Sequence, residues 1–318
     1  MITIREATVN DAQAITEVHK SDVKKWRKIE DNGFREANYE ELSIDERWLH
    51  GGQWMSYETC VIHIQNFIKW GGKIFVATLN NNIVGEIELI ADEEPEPYGE
   101  HLFVYVLMIH KSYRGRGIGS KLIRAAEEYA RERGINRILV SSEERSIGFY
   151  RKMGYQLFEE YLTIRVNLSN KINLNEPVRY EVLDKITKKD VYDYQLLIGR
   201  FLNSISLLYN ASVSYPSLQK VYQRYFFFKI YDEELDSIIV IRKSNLISNA
   251  MYIWVSKLDD IEFIINTFIK GLYLANKLDI NELVTCIPAE YLSVLRKTNL
   301  KLEILEKAPW FIRKLNRV

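Results

Sequence analysis

The residues with the clearest chemical potential form a short glycine-rich segment, Tyr113-Arg114-Gly115-Arg116-Gly117-Ile118-Gly119-Ser120. Three alternate glycines remove the Cβ atoms that would block a close approach of the backbone, so successive N–H groups can converge on phosphate oxygens where a helix begins. Arg114 and Arg116 add fixed positive charge beside these groups. The segment therefore predicts a pocket for a pyrophosphate.

The spacing of the glycines excludes two common nucleotide-binding turns. The dinucleotide fingerprint G-x-G-x-x-G differs from this segment, in which Gly115, Gly117 and Gly119 alternate strictly. The Walker loop needs Gly-Lys followed by Ser or Thr, whereas here Gly119 is followed by Ser120 and Lys121. An ordinary tight turn remains an alternative, although such a turn seldom carries two arginines.

Three elements must position this turn. The apolar run from His101 to Ile109 predicts a strand before it. A helix begins at Ile118, where apolar residues start to recur at helical spacing, and Gly134 is placed to end it. The run from Ile135 to Val140 predicts one more strand. The order is strand, glycine turn, helix and strand.

The pattern Arg114-x-x-Gly117-x-Gly119 after a hydrophobic strand resembles the acyl-CoA signature of the GNAT superfamily of N-acetyltransferases. A second segment, Arg145 to Tyr155, is similar to the helix that closes the cofactor site in that family. The resemblance covers residues 1 to 168 and implies acetyl-CoA (CoA) as the cofactor.

The resemblance also implies roles for single residues. The pyrophosphate would lie on the amides of the glycine turn, and the pantetheine arm would pair with the preceding strand like an added strand. The hydroxyl of Tyr150 would return a proton to the departing thiolate, although this side chain could instead be core. Relatives often carry Asn where Glu143 stands. The implied cofactor-binding residues are Leu107, Met108, Ile109, Arg114, Gly115, Arg116, Gly117, Ile118, Gly119, Ser120, Glu143 and Tyr150.

The general base is left open among three side chains and water. Period-two alternation in the strand Ile83 to Ile90 places Glu86 and Glu88 on one face. His101 shares a face of the next strand with Tyr105. Glu86, Glu88 and His101 are therefore the candidates. A solvated strand edge or an ion pair is the alternative role for each glutamate.

A tryptophan-rich segment, Arg47 to Met55, precedes an amphipathic helix from Ser56 to Trp70. In the family that the chain resembles, such a region shapes the acceptor pocket, and a Gly-Gly hinge between two tryptophans suits a lid that excludes water. A well-packed loop is the alternative. The candidate acceptor-pocket residues are Trp48, Trp54, Met55 and Tyr105.

Composition and charge narrow the possible partners. The 318 residues include 43 Lys plus Arg and 43 Asp plus Glu, so no net field favours nucleic acid or an anionic membrane. No apolar run approaches the length of a membrane span, and the N-terminal residues lack the layout of a signal peptide. We therefore expect a cytoplasmic protein without nucleic-acid or membrane partners, either a monomer or a homodimer.

Cysteine and histidine spacing gives no metal motif. Cys60 and Cys286 lie far apart, without CxxC spacing, and no short-range pattern joins the five histidines. We expect no metal and no disulfide. The acidic run Asp92 to Glu96 predicts a solvated turn.

The second part of the chain repeats the plan of the first without its chemistry. Residues 169–177 are polar, contain a proline and predict a linker. After them the strand Met251 to Val255 leads to Asp259 and Asp260, which can cap the next helix and would repel an anion. Leu295 stands in the slot of Tyr150. Residues 178–318 are therefore predicted to be a degenerate domain that covers the first or completes its acceptor cleft.

The expected fold is α/β (α+β), with two GNAT-like domains that each have a mixed, mostly antiparallel central sheet flanked by helices. The expected function is acetyl-CoA-dependent N-acetyltransfer to a primary amine, by direct attack, in residues 1–168. The acceptor would be a small-molecule amine or a peptide N-terminus. The alternative is a non-catalytic acyl-CoA-binding regulatory module.

Overall fold

The computed structural model describes residues 1–316 apart from nine positions. These are Asn32, Lys171, Asn173, Asn175, Glu176, Tyr222, Glu233, Glu234 and Asn299. Four of them fall in the predicted linker 169–177, which therefore lies partly outside the described residues.

The elements of the first half end at Asn167, and they include the strand, helix and strand predicted around the glycine turn. They are β1 (Ile2–Glu6), α1 (Ala12–Lys20), β2 (Trp26–Glu30), β3 (Gly33–Ala37), α2 (Ile44–Trp48), α3 (Tyr57–Lys69), β4 (Lys73–Leu79), β5 (Asn82–Glu94), β6 (Gly99–Ile109), α4 (Ile118–Glu132), β7 (Arg137–Ser141), α5 (Ile147–Lys152) and β8 (Gln156–Asn167). The predicted order around the turn is confirmed as β6, α4 and β7.

The elements of the second half begin at Tyr180. They are β9 (Tyr180–Leu183), α6 (Lys188–Val191), β10 (Gln195–Ile198), α7 (Ser204–Ser212), β11 (Gln223–Asp232), β12 (Leu235–Ser244), β13 (Ala250–Val255), α8 (Ile261–Lys277), β14 (Glu282–Pro288), α9 (Leu292–Leu295) and β15 (Lys301–Lys314). Among the described residues, no helix combines the length and the apolar character needed to cross a bilayer.

Strands from both halves form one mixed sheet. Its order is β1-β4-β5-β6-β7-β15-β8-β14-β13-β12-β11-β9, with β10 paired to β13 and with β2 and β3 in a separate hairpin. Pairing is mostly antiparallel, but β6 and β7 are parallel, as are β13 and β14. Helix α4 connects the first parallel pair and α8 the second. The expected fold, two α/β halves with mixed sheets flanked by helices, is confirmed.

The two halves exchange their last strands. β15 lies between β7 and β8, and β8 in turn pairs with β14. On β15, the indole of Trp310 is fully buried and donates to the carbonyl oxygen of Arg200 at 3.2 Å, while Phe311 is buried in the core beneath α4. The domain division at residues 168 and 178 stays a prediction, since the last strand of the chain also completes the sheet of the first half.

Two carboxylates of the acidic run, Asp92 and Glu94, lie at the end of β5 and are buried under α7. Asp92 accepts a hydrogen bond from the N–H of Ile205 at 2.9 Å, and Glu94 accepts one from the N–H of Ser204 at 3.0 Å. Carboxylates at the first turn of a helix satisfy its free N–H groups and oppose its dipole. The prediction of a solvated turn is wrong for Asp92 and Glu94, because a helix of the second half covers them.

A buried ion pair also joins the halves. Arg200 is fully buried, and its guanidinium lies 2.8 Å from Oε2 of Glu94 and 3.6 Å from the centre of the Tyr98 ring. Burial alone would raise the pKa of Glu94, but the charge of Arg200 and hydrogen bonds from Ser204 hold that pKa below its ordinary value. Removing one partner would leave an uncompensated charge in the interface.

We expect the substitution Arg200→Met to lower the free energy of unfolding by about 3–5 kcal/mol, because Glu94 would remain charged and buried. Urea unfolding of the whole chain measures this loss. The control is Lys307→Met, which removes an exposed ion pair between β15 and Glu160 of β8 and should change stability far less. Equal losses in the two variants would contradict the interpretation.

Candidate functional site

The glycine turn has the geometry of an anion site. Gly115 and Gly117 adopt φ angles of +77° and +75°, in the left-handed region that favours glycine. A Cβ atom added to either would meet nothing within 4 Å, so the turn borders open space. Gly117 caps α4. The N–H groups of the first helical turn have no intrahelical partners and are available to an anion.

Two residues of the turn hold α4 close to its neighbours. Ile118 is 1% exposed and packs in the core below the helix. A Cβ atom on Gly119 would lie 3.3 Å from the ring of Phe149 on α5 and 3.9 Å from Ile109 at the end of β6. The helix N-terminus is therefore fixed beside both the strand and α5.

The first arginine of the turn is neutralised by an ion-pair network. Arg114 donates to the carbonyl of Ile109 at 3.1 Å and lies 2.8 Å from the carboxylate of Asp22. Asp22 also pairs with Arg145 at 3.1 Å, and Arg145 donates to Glu143 at 2.5 Å. Hydrogen bonds from Arg114 and Arg145 lower the pKa of Asp22. Glu143 is therefore engaged by an arginine.

The second arginine of the turn keeps its charge available. Arg116 donates to the carbonyl of Ser112 at 3.2 Å and lies 5.1 Å from the centre of the Tyr113 ring. Among the described residues no carboxylate forms an ion pair with it. Of the two arginines expected to face a phosphate, Arg116 is the one free to do so without breaking an existing pair.

The strand before the turn has an open backbone edge. β6 pairs with β7 only at Leu102 and Phe103, and beyond Phe103 no strand of the described chain pairs with it on that side. On its other side the N–H of His110 donates to Val84 at 3.0 Å. Because antiparallel hydrogen bonding alternates along a strand, Leu107 and Ile109 direct their backbone groups to the open edge. Those of Met108 face β5.

The corresponding gap in the second half is filled by the chain itself. β13 and β14 pair only at Ala250 and Val284, and β10 lies against the last residues of β13, from Ile253 to Val255. At the start of α8 the side chain of Asp260 accepts from the N–H of Phe263 at 2.9 Å, as predicted. The backbone edge and the helix N-terminus of this half are therefore both occupied.

A carboxylate–imidazole pair lies on the face of β5 near the end of β6. Glu86 is fully buried, pairs in register with Met108, and places Oε1 2.5 Å from Nε2 of His19 on α1. Its Oε2 is buried without a partner among the described residues. Burial lowers the pKa of His19 to about 3, and burial together with the charge of Glu88 raises the pKa of Glu86. The imidazole therefore stays neutral, and a proton is held more readily by the carboxyl group.

The second glutamate of β5 is fully hydrogen-bonded. Glu88 accepts from the indole N–H of Trp54 at 2.8 Å and lies 2.9 Å from Nε2 of His63 on α3. The hydroxyl of Tyr209, from α7 of the second half, is 2.6 Å from Nδ1 of His63. This chain ties Glu88 to the second half and leaves Glu86 as the carboxyl group with a free oxygen.

Sequence reasoning missed His19 and His63. His19 is on the buried face of α1, four residues after Ile15, and His63 is on the buried face of α3, four residues before Phe67. A histidine on the apolar face of an amphipathic helix was the available signal. Which polar group it would meet depends on the packing of the helix on β5, which no local pattern specifies.

The sequence predicts His101 as a candidate base, but this residue lies far from the end of β6 that carries Met108. The two residues are seven positions apart, or about 23 Å at the rise of a strand. A shared face does not fix the position of a residue along its strand. Nδ1 of His101 lies 2.8 Å from the carbonyl oxygen of Gly99. Asp92, Glu94 and His101 bring potential ligand atoms within 4.8 Å of one another. Their hydrogen bonds to α7 and Arg200 make them part of the interface between the halves.

Tyr150 on α5 is buried close to the glycine turn. It is 5% exposed, stacks against Phe311 with ring centres 6.3 Å apart, and neighbours Tyr155 at 5.6 Å. Burial, with a contribution from Glu143, raises the pKa of its phenol, which therefore stays protonated. Within the described chain its hydroxyl has no hydrogen-bond partner. The counterpart, Leu295, carries no hydroxyl and is also buried.

A cavity of about 970 Å³ lies between the halves, and Trp48, Trp54 and Tyr105 line it. The hydroxyl of Tyr105 donates to Asn210 of the second half at 2.9 Å and accepts from Gln53 at 3.1 Å. A second cavity, of about 850 Å³, is lined by Met55, His19, Val106 and Met108. Trp54 lines both cavities. The four predicted acceptor-pocket residues are thus brought together, with a wall from the second half.

Comparison with known proteins identifies the family. A model described as "Acetyltransferase (GNAT) family" matches residues 31–155. N-alpha-acetyltransferase 30 of Schizosaccharomyces pombe is 31% identical over 103 residues, which are 30% of this chain and 67% of that protein. Glucosamine 6-phosphate N-acetyltransferase of Trypanosoma brucei brucei is 28% identical over 93 residues, 29% of this chain and 63% of that protein. N-acetyltransferase 8F1 of Rattus norvegicus is 23% identical over 119 residues, which are 35% of this chain. The chain spans about half of the rat protein, 54% of its length.

Solved structures match the whole chain in fold. A GCN5-related N-acetyltransferase from Anabaena variabilis has a TM-score of 0.60 at 12% identity, covering 99% of this chain and 73% of that one. A tandem GNAT protein from the clavulanic acid biosynthesis pathway has a TM-score of 0.52 at 12% identity, covering 99% and 98%. With the glycine turn and the open edge of β6, these matches show that the chain belongs to the GNAT family of acetyltransferases and folds as two GNAT-like halves.

Proposed function

We propose that the protein is an acetyl-CoA-dependent N-acetyltransferase with one active site, in the first half, that acts on a primary amine by direct attack. The proposal includes a cytoplasmic location and an acceptor that is a small amine or a peptide N-terminus. The observation that carries it is the contrast between the open edge of β6 beside a bare helix N-terminus and the filled gap of the second half.

Acetyl-CoA supplies an acyl thioester when bound. The N–H groups of the α4 N-terminus and Arg116 would hold its pyrophosphate. Leu107 and Ile109 would pair with its pantetheine arm through the backbone groups that face the open edge, where the Ile109 carbonyl accepts from Arg114 in this structure. The fit rests on the open space beside Gly115 and Gly117, which a bulky side chain would reduce. Arg114 and Arg145 would add charge if they left Asp22.

The pKa shifts of Glu86 and His19 suggest how the amine loses its proton. His19 lines the cavity that Met108 also lines, and its Nδ1 has no partner among the described residues. With Nε2–H donated to Glu86, Nδ1 can accept a proton from the ammonium group while the Nε2 proton passes to Glu86. The imidazole stays neutral throughout, in accord with its low pKa. The raised pKa of Glu86 favours its carboxyl group as the group that finally carries the proton.

The proposed acid is Tyr150, which remains protonated because burial raises its pKa. It would give its proton to the leaving sulfur, and the binding of the amine between Trp54 and the second half would exclude water. Glu88 would position the pocket wall through Trp54 and His63.

Calorimetric titration with acetyl-CoA should give one site per chain, and Gly117→Asp should abolish binding. The substitution forces a residue that disfavours φ of +75° into the turn and adds an anion where the phosphates bind. Gly134→Asp is the matched control, because Gly134 has φ of +73° at the other end of α4 and also borders open space. Two sites in the wild type, or equal loss in both variants, would count against the proposal.

Glu86→Gln should lower kcat by about 10²–10⁴-fold while leaving the Kd for acetyl-CoA unchanged. Because the carboxyl group works ionised and its pKa is raised, the wild-type rate should fall as pH drops through that raised pKa. The variant should lack this acidic limb. Steady-state rates against pH measure both effects. Glu93→Gln, an exposed residue on the same strand, should behave like the wild type, and a wild-type profile in Glu86→Gln would exclude the relay.

Tyr150→Phe should lower kcat about 10²-fold or more with little change in acetyl-CoA binding, because it removes only the proton donor. Tyr155→Phe is the matched control: its hydroxyl is buried without a partner in the described chain, next to Tyr150. Rates of thiol release and calorimetry separate turnover from binding. Unchanged turnover in Tyr150→Phe would favour the alternative of a non-catalytic acyl-CoA-binding module.

A further inference from the structure

The cavity between the halves contains an arginine that the acetyl transfer does not use. Arg242 on β12 lines it, and its terminal nitrogen donates to the carbonyl oxygen of Ser248 at 2.8 Å. Its Nε is buried without a partner among the described residues. No carboxylate of the described chain forms an ion pair with it. The cavity therefore holds a cation with spare donors.

Two other buried charges of the described chain have ionic partners, whereas Arg242 has none there. Arg200 pairs with Glu94, and Asp92 with Lys188 at 2.9 Å. A guanidinium with a buried and unused N–H is costly unless a partner arrives. Its planar fork matches a carboxylate or a phosphate. The partner that fits Arg242 is therefore an anion that enters the cavity.

An aromatic part of the cavity wall suits an apolar body. Aromatic side chains from both halves line the cavity, and Trp48 lies 4.7 Å from Tyr215 across the boundary. The aromatic lining residues of the second half are Phe201, Tyr215, Tyr225 and Tyr252. At the side of the first half, the ring of Trp54 stacks on that of His19, with ring centres 4.9 Å apart, and His19 lines the second cavity together with Trp54. The volume of the cavity between the halves, about 970 Å³, is that of a small-molecule site.

We propose that the acceptor is a primary amine with an anionic group, a carboxylate or a phosphate, on the far side of an apolar or aromatic body. Arg242 of the second half binds the anion while the amine reaches Glu86 and His19. The inference rests on the proposed function, and it gives the second half a role in choosing the substrate.

The test compares amines that differ only in the anion. 2-Phenylethylamine, 4-(2-aminoethyl)benzoate and tyramine phosphate are titrated into the CoA-saturated protein in a calorimeter, so the result does not depend on turnover. At least one anionic probe should bind about 10-fold or more tightly than the neutral amine, since its anion gains charge-assisted hydrogen bonds from Arg242. The two anionic probes distinguish a carboxylate from a phosphate.

Arg242→Gln should bring the affinities close to one another without reducing binding of 2-phenylethylamine, and Arg242→Lys should keep part of the preference. The control is Arg224→Gln, which replaces an exposed arginine on the neighbouring strand β11. This variant should keep the full preference for the anionic probe. Equal binding of all three probes, no binding of any, or a preference that survives in Arg242→Gln would overturn the inference. Failure of CoA to bind would instead contradict the proposed function, and the preceding CoA titration detects it separately.

Discussion

The backbone edge of β6 that β7 leaves unpaired distinguishes the first half from the second. A strand edge with free N–H and C=O groups in a protein interior must find partners. In the second half the same edge is satisfied by β10, a segment of the chain itself. In the first half it stays open, beside a helix whose N-terminus carries no capping carboxylate. The two halves therefore share one architecture and differ in whether the chain itself fills this edge.

The second half contributes structural elements to the first half. Its last strand lies inside the sheet of the first half, and its α7 is capped by Asp92 and Glu94. The same helix supplies Tyr209 to His63 and Asn210 to Tyr105. Through these contacts the buried groups near Glu88 depend on the position of α7. Residues of both halves line the cavity between them.

Local sequence features predicted the parts of the site that local geometry controls. The glycine turn and α4 follow from residue types that allow positive φ and from helical periodicity, and the capping of α8 by Asp260 follows in the same way. Contacts between distant segments could not be predicted. The His19 and Glu86 pair requires α1 to lie on β5. Burial of the charged Glu94 requires Arg200 from the second half. The position of β15 between β7 and β8 has no local sequence pattern that predicts it. His101 shows the same limit, since alternation fixes a face but not a distance along the strand.

Hydrogen exchange with and without acetyl-CoA measures whether the open edge of β6 binds the cofactor. We expect slower exchange on cofactor binding at Leu107, Ile109 and the amides of the glycine turn, because these N–H groups gain partners. We expect no change from Ile253 to Val255, where β10 already pairs with β13. Protection of Ile253 to Val255, or no protection at Leu107, Ile109 and the glycine turn, would contradict a single cofactor site on β6.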